Sequence, residues 1–183
     1  MKRTMMCVLL CATSLIAQTG AKNGEWRTYG GDLGNTHYSP LDEINAANFN
    51  KLEVAWRFKT DNLGPQPEFN LESTPLMANG VVYSTAGTRR AVVALDAATG
   101  EQLWTHGERE GTRGTNAPRV LSGRGLSYWS AGPGSADERI LYVTPGYRLI
   151  ALDAKTGALI RSFGKDGAVD LKLEDDQEID LLS

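Results

Sequence analysis

The feature that most constrains this chain is an internal repeat. Gly80-Val81-Val82-Tyr83-Ser84-Thr85-Ala86-Gly87 is followed by Val93-Ala94-Leu95-Asp96-Ala97-Ala98-Thr99-Gly100-Glu101-Gln102-Leu103-Trp104. Arg139-Ile140-Leu141-Tyr142-Val143-Thr144-Pro145-Gly146 is then followed by Ile150-Ala151-Leu152-Asp153-Ala154-Lys155-Thr156-Gly157-Ala158-Leu159-Ile160-Arg161. Tyr83 answers to Tyr142 and Asp96 to Asp153, with the second copy two residues shorter between them. Self-similarity at such a period marks one supersecondary unit copied along the chain.

Each part of the unit has a physical task. Ala94 and Leu95 end a strand, Asp96 and Thr99 can bond the backbone of the turn, and Gly100 supplies a positive φ that a Cβ would resist. Trp104 ends the return strand, where its large apolar face can wedge against a neighbouring sheet and its indole N–H can make one specific bond. In the second copy Arg161 stands at the tryptophan position, so that unit docks differently or less tightly, with Phe163 as a substitute.

Around the repeat, short runs rich in Val, Ile, Leu and Tyr alternate with Gly, Asn, Asp and Thr, the pattern of a hairpin-rich all-β protein. Strands are predicted at Val54–Lys59, Val81–Ala86, Val92–Asp96, Gln102–His106, Ile140–Pro145, Leu149–Asp153 and Leu159–Phe163. The best helical window is Leu41 to Leu52, where Asp42 could cap a short turn. Four short strands per copy suggest propeller blades, and a closed propeller takes about four to eight of them because each blade covers its neighbours. The chain of 183 residues is too short for that, so it is expected to be the N-terminal piece of a longer protein or to assemble from several copies.

The hydrophobic share of 41% and charged share of 22% exclude a disordered or collagen-like chain. A formal charge of -3 provides no basic field to hold phosphates, which argues against a nucleic-acid partner. Lys2 and Arg3 precede an apolar run from Met5 through Ile16 that leads to small residues between Ala17 and Ala21. That run is short of a bilayer span and reads as a secretory signal peptide over residues 1–21, implying an exported, periplasmic mature chain from residue 22. Both cysteines, Cys7 and Cys11, lie inside it, so cleavage leaves no disulfide, thiol nucleophile or thiolate metal site.

Trp26-Arg27-Thr28-Tyr29-Gly30-Gly31-Asp32, Asn35-Thr36-His37-Tyr38-Ser39-Pro40-Leu41, Ile44-Asn45 and Leu52-Glu53-Val54-Ala55-Trp56 resemble the opening of the pyrroloquinoline quinone (PQQ) dependent dehydrogenases, the glucose, polyol and alcohol quinoproteins. The repeat at Ala94 to Trp104 matches that family's tryptophan-docking pattern, and the likeness covers about residues 25 to 173. It implies the first one to two blades of an eight-bladed propeller of W-shaped four-stranded antiparallel sheets, with PQQ and calcium near the axis. It also implies, for the complete enzyme, oxidation of sugar, polyol or alcohol hydroxyl carbons, glucose-dehydrogenase-like, with electrons passed to a quinone or cytochrome.

Two positions resemble cofactor contacts. Glu72, in Leu71-Glu72-Ser73-Thr74-Pro75-Leu76, matches an acid that lies beside PQQ, and Arg124, in Gly123-Arg124-Gly125-Leu126-Ser127-Tyr128-Trp129, matches an arginine that contacts the quinone. A planar guanidinium suits the carboxylates and ortho-quinone of PQQ, making paired charge-assisted bonds and favouring charge that develops on the quinone. An acid beside an anionic cofactor needs a partner: Arg124, a proton of its own, or a ring N–H of PQQ. No catalytic residue and no metal ligand is assigned here, because the resemblance puts the calcium ligands and the base in later blades. The fragment alone is expected to be inactive.

Pro118-Arg119 stand at about the place where several alcohol quinoproteins carry adjacent cysteines; the glucose and polyol type also lacks that pair, so the resemblance here points away from methanol-type enzymes. Gly123-Arg124-Gly125 lacks the third glycine and the following helix of a dinucleotide loop. His37 and His106 read as structural or exposed, Arg109, Arg113 and Arg119 as decoration of a long exposed loop, and Asp170, Glu174, Asp175, Asp176, Glu178 and Asp180 as a solvated acidic tail. The competing class is a non-catalytic scaffold, such as outer-membrane assembly proteins that share the repeat and bind no PQQ. The substrate, the acceptor and the oligomeric state are not legible.

Overall fold

The computed structural model describes residues 20–65, 71–118, 125–173, 176–177, 179–180 and 182. Its centre is two four-stranded antiparallel sheets. The first is β1 (Leu76–Ala78), β2 (Val81–Ala86), β3 (Ala91–Asp96) and β4 (Gln102–His106), paired in chain order. The second is β5 (Ser127–Ser130), β6 (Glu138–Val143), β7 (Arg148–Asp153) and β8 (Ala168–Asp170), again in chain order. One short helix, α1 (Gly111–Thr115), lies on the link between them. This is the meander of four strands per copy that the repeat predicts.

Alternation along the strands decides how the sheets pack. On β3, Val92 and Ala94 point into a core shared with the second sheet, while Val93 and Leu95 point to the opposite face. The shared core joins Leu76, Tyr83 and Trp104 to Ile140, Tyr142, Ile150 and Leu152. Trp56, Phe58 and Leu63 cover the other face of the first sheet, so β3 is buried on both sides. The innermost strands β1 and β5 meet, as blades do around an axis.

Three expectations need correction. Val54–Lys59 forms no strand; the segment lies on the first sheet through Trp56 and Phe58 and has no ladder partner among the described residues. Leu159–Phe163 contributes only a bridge from Leu159 to Leu152, because Gly164, Asp166 and Gly167 adopt positive φ and fold the chain through a tight loop. It rejoins the sheet as β8, which pairs with Arg148 to Ile150. Between Leu41 and Leu52 the only helical piece is a 3-10 turn at Phe49–Lys51, and Asn48, not Asp42, precedes it.

Candidate functional site

The antiparallel order places Glu72. β1 runs towards the Asn79-Gly80 turn, so Glu72, just before it, lies at the opposite end of the sheet. The Gly87–Arg90 and Thr144–Tyr147 turns and the segment after β4 share that end. The Asp96–Gly100 and Asp153–Gly157 turns lie at the other end. Glu72 is exposed, and the neighbouring Ser73 hydroxyl is buried without a hydrogen-bond partner. Arg124 lies outside the described residues; in sequence it stands shortly before β5, as Glu72 stands shortly before β1. Among the described residues no three His, Cys, Asp or Glu side chains gather to hold a metal ion.

At the same end, the link between the sheets is pinned. The Glu110 carboxylate, with its side chain 2% exposed, accepts hydrogen bonds from Thr144 Oγ1 and the Gly146 N–H, both at 2.7 Å. Arg113 donates to the Gly146 carbonyl and grips both oxygens of Asp170, each at 2.6 Å. This paired bond to Arg113 draws the Asp170 carboxyl down to about 2. Arg113 is therefore a buried anchor, not loop decoration, and Asp170 belongs to β8 and not to a solvated tail. Arg109 is exposed as expected, whereas Arg119, Glu174, Asp175 and Glu178 lie outside the described residues. His106 is half-buried, its Nε2 2.7 Å from Glu108 Oε1 and its Nδ1 3.1 Å from the Gly157 carbonyl oxygen.

The far end is tied by the N-terminal segment. Trp26 bridges to Met77 on the free, inner edge of β1. Glu25 accepts from the Asn79 N–H and pairs with Arg27, which lies over the Tyr128 ring at 5.1 Å. The Tyr128 hydroxyl donates to Glu138 at 2.7 Å, and its pKa is pushed up to about 12 by burial and by that carboxylate.

The docking role foreseen for tryptophan is visible twice. Trp104 lies against Gly157 and its indole N–H donates to the Ala154 carbonyl at 3.0 Å. Trp56 lies against Gly100 and donates to the Ala97 carbonyl at 3.1 Å. Each tryptophan thus docks on the Asp-x-x-Thr-Gly turn of the following unit. Arg161, at the tryptophan position of the second copy, is exposed, and Phe163 is half-buried.

Residues 26–180 match the family model for the glucose/ethanol/alcohol dehydrogenase beta-propeller domain. The chain belongs to this family. It is 38% identical over 149 residues to the dehydrogenase subunit of the quinone alcohol dehydrogenase of Gluconobacter oxydans, covering 80% of this chain and 18% of that protein. It is 33% identical over 172 residues to the quinohemoprotein alcohol dehydrogenase ADH IIB of Pseudomonas putida, covering 87% of this chain and 23% of that one. The solved quinohemoprotein alcohol dehydrogenase of Comamonas testosteroni superposes with a TM-score of 0.67 at 28% identity, covering 88% of this chain and 21% of that structure. The chain therefore spans about a fifth of the relatives it matches. Their propeller architecture accounts for the two stacked sheets and for the docking tryptophans that join them.

The sequence reading missed Ser73 and the Glu110 and Arg113 anchors. Ser73 was available as the neighbour of Glu72, but its burial is a tertiary fact. Arg113 and Asp170 are 57 residues apart in sequence, and no local pattern announces such a pair.

Proposed function

We propose that this chain is the N-terminal propeller portion of an exported PQQ-dependent dehydrogenase that oxidises alcohol or polyol hydroxyl groups and passes the electrons to a quinone or cytochrome. The observation that carries this reading is the family match across residues 26–180; Glu72, in the segment that leads into the innermost strand β1, accords with it. The relatives' names, alcohol dehydrogenase and glycerol dehydrogenase, favour alcohol and polyol substrates over glucose. The donor set at this end suits the cofactor: a carboxylate at Glu72 to accept from a ring N–H, and a buried, unpartnered Ser73 hydroxyl to donate to a ring oxygen. Arg124 supplies a guanidinium for the carboxylates or the quinone oxygens.

PQQ, when bound, supplies a quinone able to accept the electron pair released from a hydroxyl carbon. The part of this chain is to bind and orient that group, not to take the hydroxyl proton; the base, and the ligands of a calcium ion, belong to later blades on this reading. The 183-residue chain alone is therefore inactive. For export, cleavage upstream of Gly20, earlier than the bound after Ala21 expected from the sequence, would keep the hydrogen bond from the Ala21 N–H to the Tyr38 carbonyl, at 2.9 Å, and the burial of Ala21. N-terminal sequencing of the secreted protein should find such a start.

The deciding experiment is a PQQ titration of the whole protein with calcium present, alongside Arg124→Ala and Glu72→Gln. Tight binding that Arg124→Ala abolishes and Glu72→Gln weakens supports the enzyme. Absence of binding, or binding indifferent to both changes, overturns it in favour of a scaffold. Turnover of the bound form on ethanol, butanol, glycerol and glucose then ranks the substrates.

A further inference from the structure

We infer that Asn79 is a site of spontaneous covalent modification placed at a clasp between the two sheets, where loss of its side-chain amide as ammonia opens the clasp. Asn79 and Gly80 form the two-residue turn between β1 and β2, closed by the Ala78–Val81 pair, and both hold positive φ, at 52° and 78°. Asn-Gly is favoured in such a turn, and Asp-Gly and Gly-Gly serve it too. The turn by itself therefore has no need of an amide.

What needs the amide lies outside the turn. Asn79 Oδ1 accepts from Arg27 Nη2 at 2.9 Å, while Nδ2 donates to Glu138 Oε1 at 2.7 Å and to the Tyr128 hydroxyl oxygen at 3.2 Å. A guanidinium can only donate and a carboxylate can only accept, so the partners fix which way the amide points. One side chain thus joins the N-terminal segment and the first sheet to β5 and β6 of the second. An aspartate in this place would keep the bond from Arg27 but turn its other oxygen towards Glu138, setting two carboxylates against each other. The Tyr128 hydroxyl, which donates to Glu138 at 2.7 Å, has a single proton and cannot serve both.

The same turn carries the chemistry of the change. Asn79 and Gly80 are exposed, and no atom lies within 4 Å of the place a Cβ on Gly80 would take. The Gly80 N–H makes no hydrogen bond among the described residues, and the Arg27 guanidinium on Oδ1 draws electron density from the amide carbon. The Gly80 nitrogen bonds to Cγ of Asn79, the Cγ–Nδ2 bond breaks, and the amide nitrogen leaves as ammonia with the proton of the Gly80 N–H. Water then opens the ring and leaves an aspartate, or its isomer linked through the side chain, in place of Asn79. Asn23-Gly24 is an internal control: the same dipeptide, with φ of 55° and 72°, in a turn closed by the Glu25 N–H and the Lys22 carbonyl at 2.9 Å. The Asn23 side chain makes no hydrogen bond among the described residues, so the same change there breaks nothing.

The test uses the whole protein and is read by urea denaturation. Asn79→Asp should lower the ratio of folded to unfolded protein by about tenfold, the scale of a lost hydrogen bond to a charged group, whereas Asn23→Asp should leave it unchanged. Asn79→Gly, which keeps the turn and adds no charge, should lose less than Asn79→Asp. Adding Glu138→Gln to Asn79→Asp should recover most of the loss, because a glutamine amide can donate to the new carboxylate. Incubation of the parent protein at mildly alkaline pH, followed by peptide mass spectrometry, should find the carboxyl at Asn79, and the fraction that carries it should unfold at lower urea than the parent. The inference is overturned if Asn79→Asp is as stable as the parent or no worse than Asn79→Gly, or if Glu138→Gln recovers nothing. It is equally overturned if Asn79 keeps its amide through the incubation. Neither measurement needs PQQ, so the outcome is independent of the enzyme reading.

Discussion

The two Asp-x-x-Thr-Gly turns make the same local bonds and lead to different sheets. Asp96 Oδ1 accepts from the N–H groups of Ala98 and Thr99 and from the Thr99 hydroxyl, and Asp153 Oδ1 accepts from the N–H groups of Lys155 and Thr156 and from the Thr156 hydroxyl. Gly100 and Gly157 both hold φ near +70°, and a Cβ on either would come within 2.6 Å of a docked indole. Beyond the turns the copies part. The first continues into β4, of which Gln102, Trp104, Thr105 and His106 pair with β3, whereas the second pairs at Leu159, loops out through Gly164 to Gly167 and returns as β8. The turn is a module closed by its own side chains; the strand after it depends on what stands beside it.

That difference can be broken first at the tryptophans. Trp104 is 9% exposed, and the Ala154 carbonyl it bonds also accepts from the Tyr83 hydroxyl at 3.1 Å. Trp104→Ala should cost about 3–5 kcal/mol in urea denaturation of the whole protein, the value typical of a buried aromatic deleted from a core. Trp56→Ala should cost less, since Trp56 is only half-buried. Equal losses would show that the two junctions are packed alike.

The next effect concerns the Arg113–Asp170 anchor, which has no counterpart on the first sheet among the described residues. Arg113→Ala leaves Asp170 facing a partly closed surface and should cost about 3 kcal/mol, the low end for breaking a buried pair. Because the Asp170 carboxyl is drawn below its ordinary 3.8 to about 2, its contribution is present above the ordinary value and lost as pH falls towards about 2. Acid denaturation of the parent and of Asp170→Asn should therefore converge at the low end of that window and separate above it. Parallel curves would remove the pair from the stability of the sheet.

The smallest effect sharpens the likeness of the turns. Asp96→Ala and Asp153→Ala should lower the melting temperature by similar, modest amounts, as each loses the same set of local bonds. A much larger loss at Asp153 would mean that the buried Ala154 beside it makes the second turn part of the core.

The parts legible in the sequence are those whose bonds close within a few residues. Asp96, Thr99 and Gly100 declare their turn because the acceptor, donors and positive φ all lie inside it, and β2, β3 and β4 follow from the short apolar, β-branched runs on either side. β1, β5 and β8 are three or four residues long and carry no period of their own; their partners make them strands. Val54–Lys59 shows the converse, with strand composition and no ladder. Of the candidate site, Glu72 is proposed from the family resemblance, whereas the buried hydroxyl of Ser73 beside it has no sequence signal, since no sequence pattern shows whether a hydroxyl will be covered.

By itself the sequence determined the repeat, its turn chemistry, the four-strand units and the tryptophans that dock them, because these rest on local hydrogen bonding and alternation. Only the tertiary structure decided which carbonyl each indole would meet, that Arg113 would leave its loop to grip Asp170, and that the Asn79 amide would meet Glu138 of the second sheet. Those outcomes depend on groups brought together from distant parts of the chain, and burial, unlike a turn, belongs to no single stretch of residues.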